Sequence, residues 1–173
     1  MSTRQIVNQA LEAHRFELAY YAMTPEVALE IADEWKYAPP YDFYDMTADP
    51  EDYDEFVTPD RWPDVFLQVR LLGELFGYLT GDLHERGSVL EIGLGMHPDF
   101  VGRGLGLDFM KHNLAWVTDN LEVGSIRLSV ASFNERAITV YRRSGFREVR
   151  HYQQRTNGST FDFMEMRYDH PGA

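Results

Sequence analysis

Residues 90–110 read LEIGLGMHPDFVGRGLGLDFM, and few backbone arrangements accommodate them. Over residues 89–96 the pattern alternates, with Leu90, Ile92, Leu94 and Met96 on one face and Glu91, Gly93 and Gly95 on the other, as in a strand. His97, Pro98 and Asp99 interrupt it, and glycines at 102, 104 and 106 open a helix over residues 104–119. There Leu107, Met110, Leu114 and Val117 recur at i, i+3, i+7 and i+10, the spacing of a buried helical stripe. A strand, a glycine turn and a helix start leave first-turn N–H groups free, which suits a phosphate or pyrophosphate. The same glycines also serve a tight strand-to-helix connection that binds nothing. Two other phosphate motifs are absent: GxGxxG needs glycine where Leu107 stands, and GxxxxGK[ST] does not occur.

Glycine inside a strand weakens it and marks close approach of a ligand or another backbone. Gly93 and Gly95 share their face with Glu91, the strand's only carboxylate, so a chemical and a structural role are both open to that residue. His97 caps or packs the turn.

A second patterned stretch, residues 126–149, reads IRLSVASFNERAITVYRRSGFREV. A strand over 126–131 is followed by a helix over 134–144, which Gly145 ends as a left-handed cap. Asn134, Ala137 and Tyr141 fall on one helical face, because seven residues make nearly two turns. Such a face can wall a channel, although Tyr141 alone also reads as a packed aromatic.

The remaining elements follow from spacing and punctuation. Residues 3–13 read as a short helix within an extension over 1–14, and residues 15–173 form one domain. A strand over 16–20 precedes a helix that starts at Thr24-Pro25-Glu26 and runs to about Trp35. Residues 41–64, with prolines at 50, 59 and 63, read as loop with one or two helical turns. Strands at 65–71 and 75–80 join at Gly73-Glu74, and a further turn spans 81–87. Strands at 146–154 and 161–168 close the chain around Asn157-Gly158. This order predicts an α/β (α+β) domain of three layers around one mixed sheet.

Composition restricts the partners. The 173 residues are 44% hydrophobic, enough for one packed core. A net charge of −12 opposes nucleic-acid binding and draws in cations. The charge is uneven: nine carboxylates lie between Tyr41 and Asp64, with only Arg61 opposing. Without cysteine there are no disulfides and no cysteine-ligated metal, and no metal is expected. No apolar run approaches ~18 residues, so no membrane association is expected. The N-terminus has no secretory pattern, and the expected compartment is the cytoplasm.

Together the two patterned stretches resemble the GNAT superfamily of acetyl-CoA-dependent N-acyltransferases. The family's pyrophosphate signature, Q/R-x-x-G-x-G/A, is matched over Val101, Gly102, Arg103, Gly104, Leu105 and Gly106. Its second signature is matched by Asn134, Ala137, Tyr141 and Gly145-Phe146 at the family's separation, and the likeness spans about residues 16–169. It implies two central parallel strands, 89–96 and 126–131, that splay apart around the coenzyme. Acetyl-CoA would be held by backbone amides from Gly102 to Leu107, by the backbone of Leu94, Gly95 and Met96, and by Asn134. Tyr141 would act as general acid toward the departing thiolate. Two positions depart from the pattern. Val101 replaces the opening Gln or Arg, with Arg103, Arg142 or Arg143 as substitute charges. Ser129 replaces a glutamate found in the branch that acetylates ribosomal proteins, which argues against that substrate.

Acyl transfer to nitrogen needs a neutral amine, and a lysine-like amine at pH 7 loses roughly 4–5 kcal/mol in giving up its proton. Glu91 is the candidate base. The acidic segment, with Tyr41, Phe43, Tyr44, Tyr53 and Phe56, would recruit a cationic amine, on a small molecule or peptide, by charge and cation–π contact. The alternative is a non-catalytic acyl-CoA-binding or ligand-sensing module, which the change at Val101 favours. Exposed C-terminal strands make a homodimer reasonable.

Overall fold

A computed structural model describes residues 16–171, with residues 2, 5, 8 and 9 before them. The helix expected over 3–13 therefore lies outside the described residues, isolated positions aside. Seven strands form one sheet: β1 (Leu18–Ala22), β2 (Val65–Leu71), β3 (Glu74–His84), β4 (Val89–Met96), β5 (Ser125–Ala131), β6 (Arg147–Thr156) and β7 (Ser159–Asp169). Their order is β1-β2-β3-β4-β5-β7-β6, and every pairing is antiparallel except β4 with β5. The expected mixed, mostly antiparallel sheet is present.

The central pair separates early. β4 and β5 are in register only at Val89–Ser125, Leu90–Ile126 and Glu91–Arg127. From Ile92 onward the β5-facing edge of β4 has no ladder. Backbone groups in such a cleft need water or a ligand as partner.

Alternation along β2 shows how the layers are built. Val65, Val69 and Leu71 face the side of α3 (Gly106–Asn120) and α4 (Glu135–Arg143), packing with Met110, Leu114, Phe109 and Ile138 in two adjoining clusters. Phe66 faces the opposite side, where α1 (Pro25–Glu34) and α2 (Pro50–Val57) contribute Ala28, Ile31, Ala32 and Phe56. Truncating a fully buried residue such as Phe109 to alanine costs about 3–5 kcal/mol. Within the α3 layer, the Tyr20 hydroxyl donates to Asn113 Oδ1 at 2.7 Å, satisfying a polar group at full burial.

Three expectations need correction. The first strand lies two residues later than 16–20, because Phe16 packs edge-on against Phe76 and His112 rather than pairing. β3 continues through Gly81 and Asp82, which pair with Ile92 and Glu91; the turn comes at Glu85–Gly87. The acidic segment is largely helical, with α2 and 3-10 turns at Tyr41–Tyr44, Met46–Ala48 and Pro59–Arg61. Pro50 and Pro59 start helices rather than break them. Asp49 accepts from the N–H groups of Glu51 and Asp52, and Pro50 occupies a first-turn position where no N–H is needed.

The Asn157-Gly158 turn forms as expected, with φ of 50° and 73°. Its tip reaches the acidic segment. Asp49 Oδ2 accepts from Asn157 N–H (2.9 Å) and Thr156 Oγ1 (3.2 Å), and Asn157 Nδ2 donates to Phe43 O (2.8 Å).

Candidate active site

Two cavities open at the splayed strands and share Leu94, Gly95, Met96, Val101, Asn134, Arg136 and Tyr141. One, of about 290 Å³, runs along the glycine turn and the start of α3. The other, of about 350 Å³, lies beneath the acidic segment.

The first cavity follows the glycine turn. Its wall includes Val101, Gly102, Gly104, Leu105, Gly106 and Leu107, with Ala137 and Val140 from α4 opposite. Gly102 and Gly104 both have φ of +76° with open space where a Cβ would sit, so the left-handed backbone, not crowding, requires glycine. No side chain caps α3: Leu105 holds the cap position without a side-chain hydrogen bond. Free first-turn N–H groups beside two left-handed glycines fit a pyrophosphate. Arg136 and Arg143 supply positive charge in the wall, whereas Arg103 is exposed and outside it. Arg142 is paired with Glu148. Val101 lines both cavities without a charge of its own.

The helix α4 brings Asn134, Ala137 and Tyr141 to the junction, as their spacing predicts. Asn134 caps its helix, accepting from Ala137 N–H at 3.1 Å and donating to the Tyr44 hydroxyl at 3.2 Å. Tyr141 packs against Phe146, and its hydroxyl has no hydrogen-bond partner among the described residues. Burial pushes that hydroxyl well above the ordinary tyrosine range, with Tyr44 and Tyr78 adding to the shift. It therefore carries its proton at any neutral pH, the state a general acid requires.

Glu91 sits elsewhere. Its Oε2 is 2.6 Å from Arg127 Nη2, 2.8 Å from Arg127 Nε and 3.3 Å from His84 Nε2, and the residue lines neither cavity. It belongs to the last paired position of β4 and β5, just before the cleft opens. Work as a base from there would run through water. His97 caps the 3-10 turn Pro98–Phe100 by accepting from Asp99 N–H at 3.1 Å, and packs on Trp35. Burial holds its imidazole below the usual histidine range. Ser129 lines the second cavity.

That second cavity contains groups the sequence pattern did not single out. Tyr78 stands directly across from Gly95 in the β3–β4 pairing, and its ring fills the space that glycine leaves. Thr80 does the same across from Gly93, with its hydroxyl donating to Gly93 O at 3.2 Å. Close approach at both glycines is therefore by cross-strand side chains. Tyr37 donates to Met96 O at 2.8 Å, and its own N–H donates to Asp45 at 3.0 Å. Arg136 lies 4.0 Å above the Tyr41 ring, a cation–π contact on the wall. Of the nine acidic side chains between 41 and 64, only Asp45 and Asp52 line this cavity. Tyr78 had no signal beyond its place opposite a strand glycine. Asp52 was legible only as one charge among many.

Among the described residues no group of three His, Cys, Asp or Glu side chains is arranged to hold a metal ion. Nor, among the described residues, is any helix long and apolar enough to cross a membrane.

Residues 29–146, more than half of the chain, match the model of the acetyltransferase (GNAT) family. No curated protein matches the chain in sequence. Several solved structures share its fold. A chimera of Vibrio cholerae spermidine N-acetyltransferase and hSSAT superposes with a TM-score of 0.66 at 20% identity, covering 88% of this chain and 95% of that one. An aminoglycoside acetyltransferase in complex with coenzyme A gives 0.66 at 17% identity, with 86% and 94% covered. A GNAT-family acetyltransferase from Bacillus anthracis gives 0.65 at 16% identity, with 88% and 94% covered.

Proposed function

The chain belongs to the acetyltransferase (GNAT) family, acyltransferases of EC class 2.3.1 that use acetyl-CoA, and on that premise we propose that it acetylates a primary amine, cationic in solution, on a small molecule or peptide. The observation that carries this reading is the meeting of a cavity along the glycine turn and a tyrosine- and carboxylate-lined cavity at Tyr141.

Acetyl-CoA supplies an acyl group activated as a thioester. Amides from Gly102 to Leu107 suit its pyrophosphate, with Arg136 and Arg143 replacing the charge absent at Val101. The unladdered edge of β4 at Leu94, Gly95 and Met96 would pair with the pantetheine arm. Amides there would polarise the acyl carbonyl, a role worth roughly 3–4 kcal/mol for one well-aimed donor. The Asn134 amide spends one of its two N–H groups on Tyr44 and accepts from Ala137, so its second N–H is free for the arm. Tyr141 would give its proton to the departing thiolate, which its neutral, unpartnered hydroxyl supports.

The incoming amine must shed a proton. Glu91 is the proposed base, acting through water because Arg127 and His84 hold its carboxylate outside the cavity wall. A cationic acceptor is supported by Asp45 and Asp52 in the second cavity. It is supported also by relatives of the same fold named for spermidine and aminoglycosides.

Thiol release from acetyl-CoA, measured against a broad panel of amines, tests the proposal. Acetylation of cationic primary amines is expected. Coenzyme binding without thiol release on any amine overturns the reading and restores that of a binding module.

A further inference from the structure

We propose that Asp52 anchors a second, non-reacting cation of the acceptor, so that the preferred substrate is a linear diamine or longer polycation. The inference rests on the acetyl-transfer reading above.

Asp52 is one of two carboxylates in the inner cavity, and the other is already engaged: Asp45 accepts the Tyr37 N–H at 3.0 Å. The Asp52 carboxylate has no hydrogen-bond or ion-pair partner among the described residues; only its backbone N–H is used, donating to Asp49. It also lines an outer groove of about 390 Å³ that includes Glu55, Asp82 and Phe66. Asp52 thus stands where the inner cavity meets the outer groove. Tyr78 lines the inner cavity, and its hydroxyl has no hydrogen-bond partner among the described residues.

Asp52 is exposed at the cavity mouth, yet partial desolvation, then the neighbouring charges of Asp49, Glu55 and Glu51, raise its carboxyl above the ordinary range. A bound cation would relieve both effects. That cation is not the reacting nitrogen, which has to meet the acyl carbon where the two cavities join, whereas Asp52 lines only the acceptor side. The reacting amine belongs near Gly95 and Tyr141, where the two cavities join. A molecule reaching from there past Tyr78 to Asp52 carries its second charge at a distance from the first. Glu55 is already paired with Arg61 at 3.0 Å, which leaves Asp82 as the carboxylate for a third charge in the groove.

The test compares putrescine with n-butylamine, which has the same carbon chain and one charge fewer, on the full chain and on Asp52→Asn and Asp52→Glu. Wild type should favour putrescine in kcat/KM by roughly tenfold, the size of one charge-assisted hydrogen bond. Asp52→Asn should collapse that ratio through KM for the diamine, and Asp52→Glu should restore much of it. A wild type without diamine preference, or an Asp52→Asn chain that keeps the ratio, overturns the anchor. If the wild type acetylates no amine, the acetyl-transfer reading fails, and calorimetric binding of putrescine still decides the anchor. Binding that Asp52→Asn abolishes supports it, and absent or equal binding overturns it.

Discussion

The ring of Tyr78 lies against Gly95 so closely that a methyl group on the glycine would fall 2.2 Å from Tyr78 Cε1 and 2.6 Å from Cζ. Gly95 also belongs to the unladdered edge of β4, so one residue serves two cavities. It admits the aromatic wall of one and presents its backbone to the other.

Gly95→Ala should therefore displace Tyr78 and destabilise the fold by roughly 1–3 kcal/mol, as overpacking does. Pairing it with Tyr78→Ala should recover part of that loss by removing the clash. Denaturant unfolding of the single and double variants measures both. Additive losses would mean that the two residues do not collide.

Gly104→Ala meets no obstacle in space but must hold φ near +76°. A left-handed alanine costs about 1–2 kcal/mol, and relaxing it would reshape the turn. Coenzyme A affinity should fall while the Tm changes modestly. Unchanged affinity by calorimetry would remove this turn from the pyrophosphate site.

Tyr141→Phe should lower kcat by roughly 100-fold and leave acetyl-CoA affinity nearly intact, since it removes a proton donor and keeps the ring. Steady-state kinetics with calorimetry separates the two effects. Normal turnover would exclude Tyr141 as the acid.

Glu91→Gln should flatten the rise of rate with pH if the carboxylate relays the amine proton through water. A wild-type pH profile would instead leave Glu91 as a tie between β4 and β5 through Arg127. In that case the variant should be detected as a lower unfolding midpoint.

Asp49→Ala should weaken both the start of α2 and the link to the Asn157 turn. Hydrogen bonds, first from Asn157 N–H and then from Glu51 N–H, hold its carboxyl below the usual range in the folded chain. A depressed folded value means that its stabilisation is present above the unfolded carboxylate value, about 3.9, and fades as pH falls through the folded value. The stability gap between wild type and variant should thus close on acidification. A gap that persisted at low pH would contradict the ionic part of this account.

What the sequence determined by itself was local. Thr24-Pro25 started α1, Asn157-Gly158 turned the last hairpin, and Gly145 ended α4 in left-handed backbone. In each case the signal lies within a few residues of its effect. The same logic set Asn134, Ala137 and Tyr141 on one face, since the helical period alone requires it. Asp49-Pro50 was equally legible as a helix start, and was masked by reading prolines only as interruptions. Strand alternation put Glu91, Gly93 and Gly95 on one face correctly, but it could not tell that only the glycines reach the cavity. That depends on where β4 and β5 part, and the parting follows Glu91, whose partner Arg127 lies 36 residues away. Likewise Tyr37 comes from a loop and Asp52, Tyr78 and Tyr141 from three separate elements, and no spacing along the chain relates them. Only packing both helical layers onto one twisted sheet brings them to a common wall, because a cavity is bounded by whatever side chains the tertiary structure leaves unpacked.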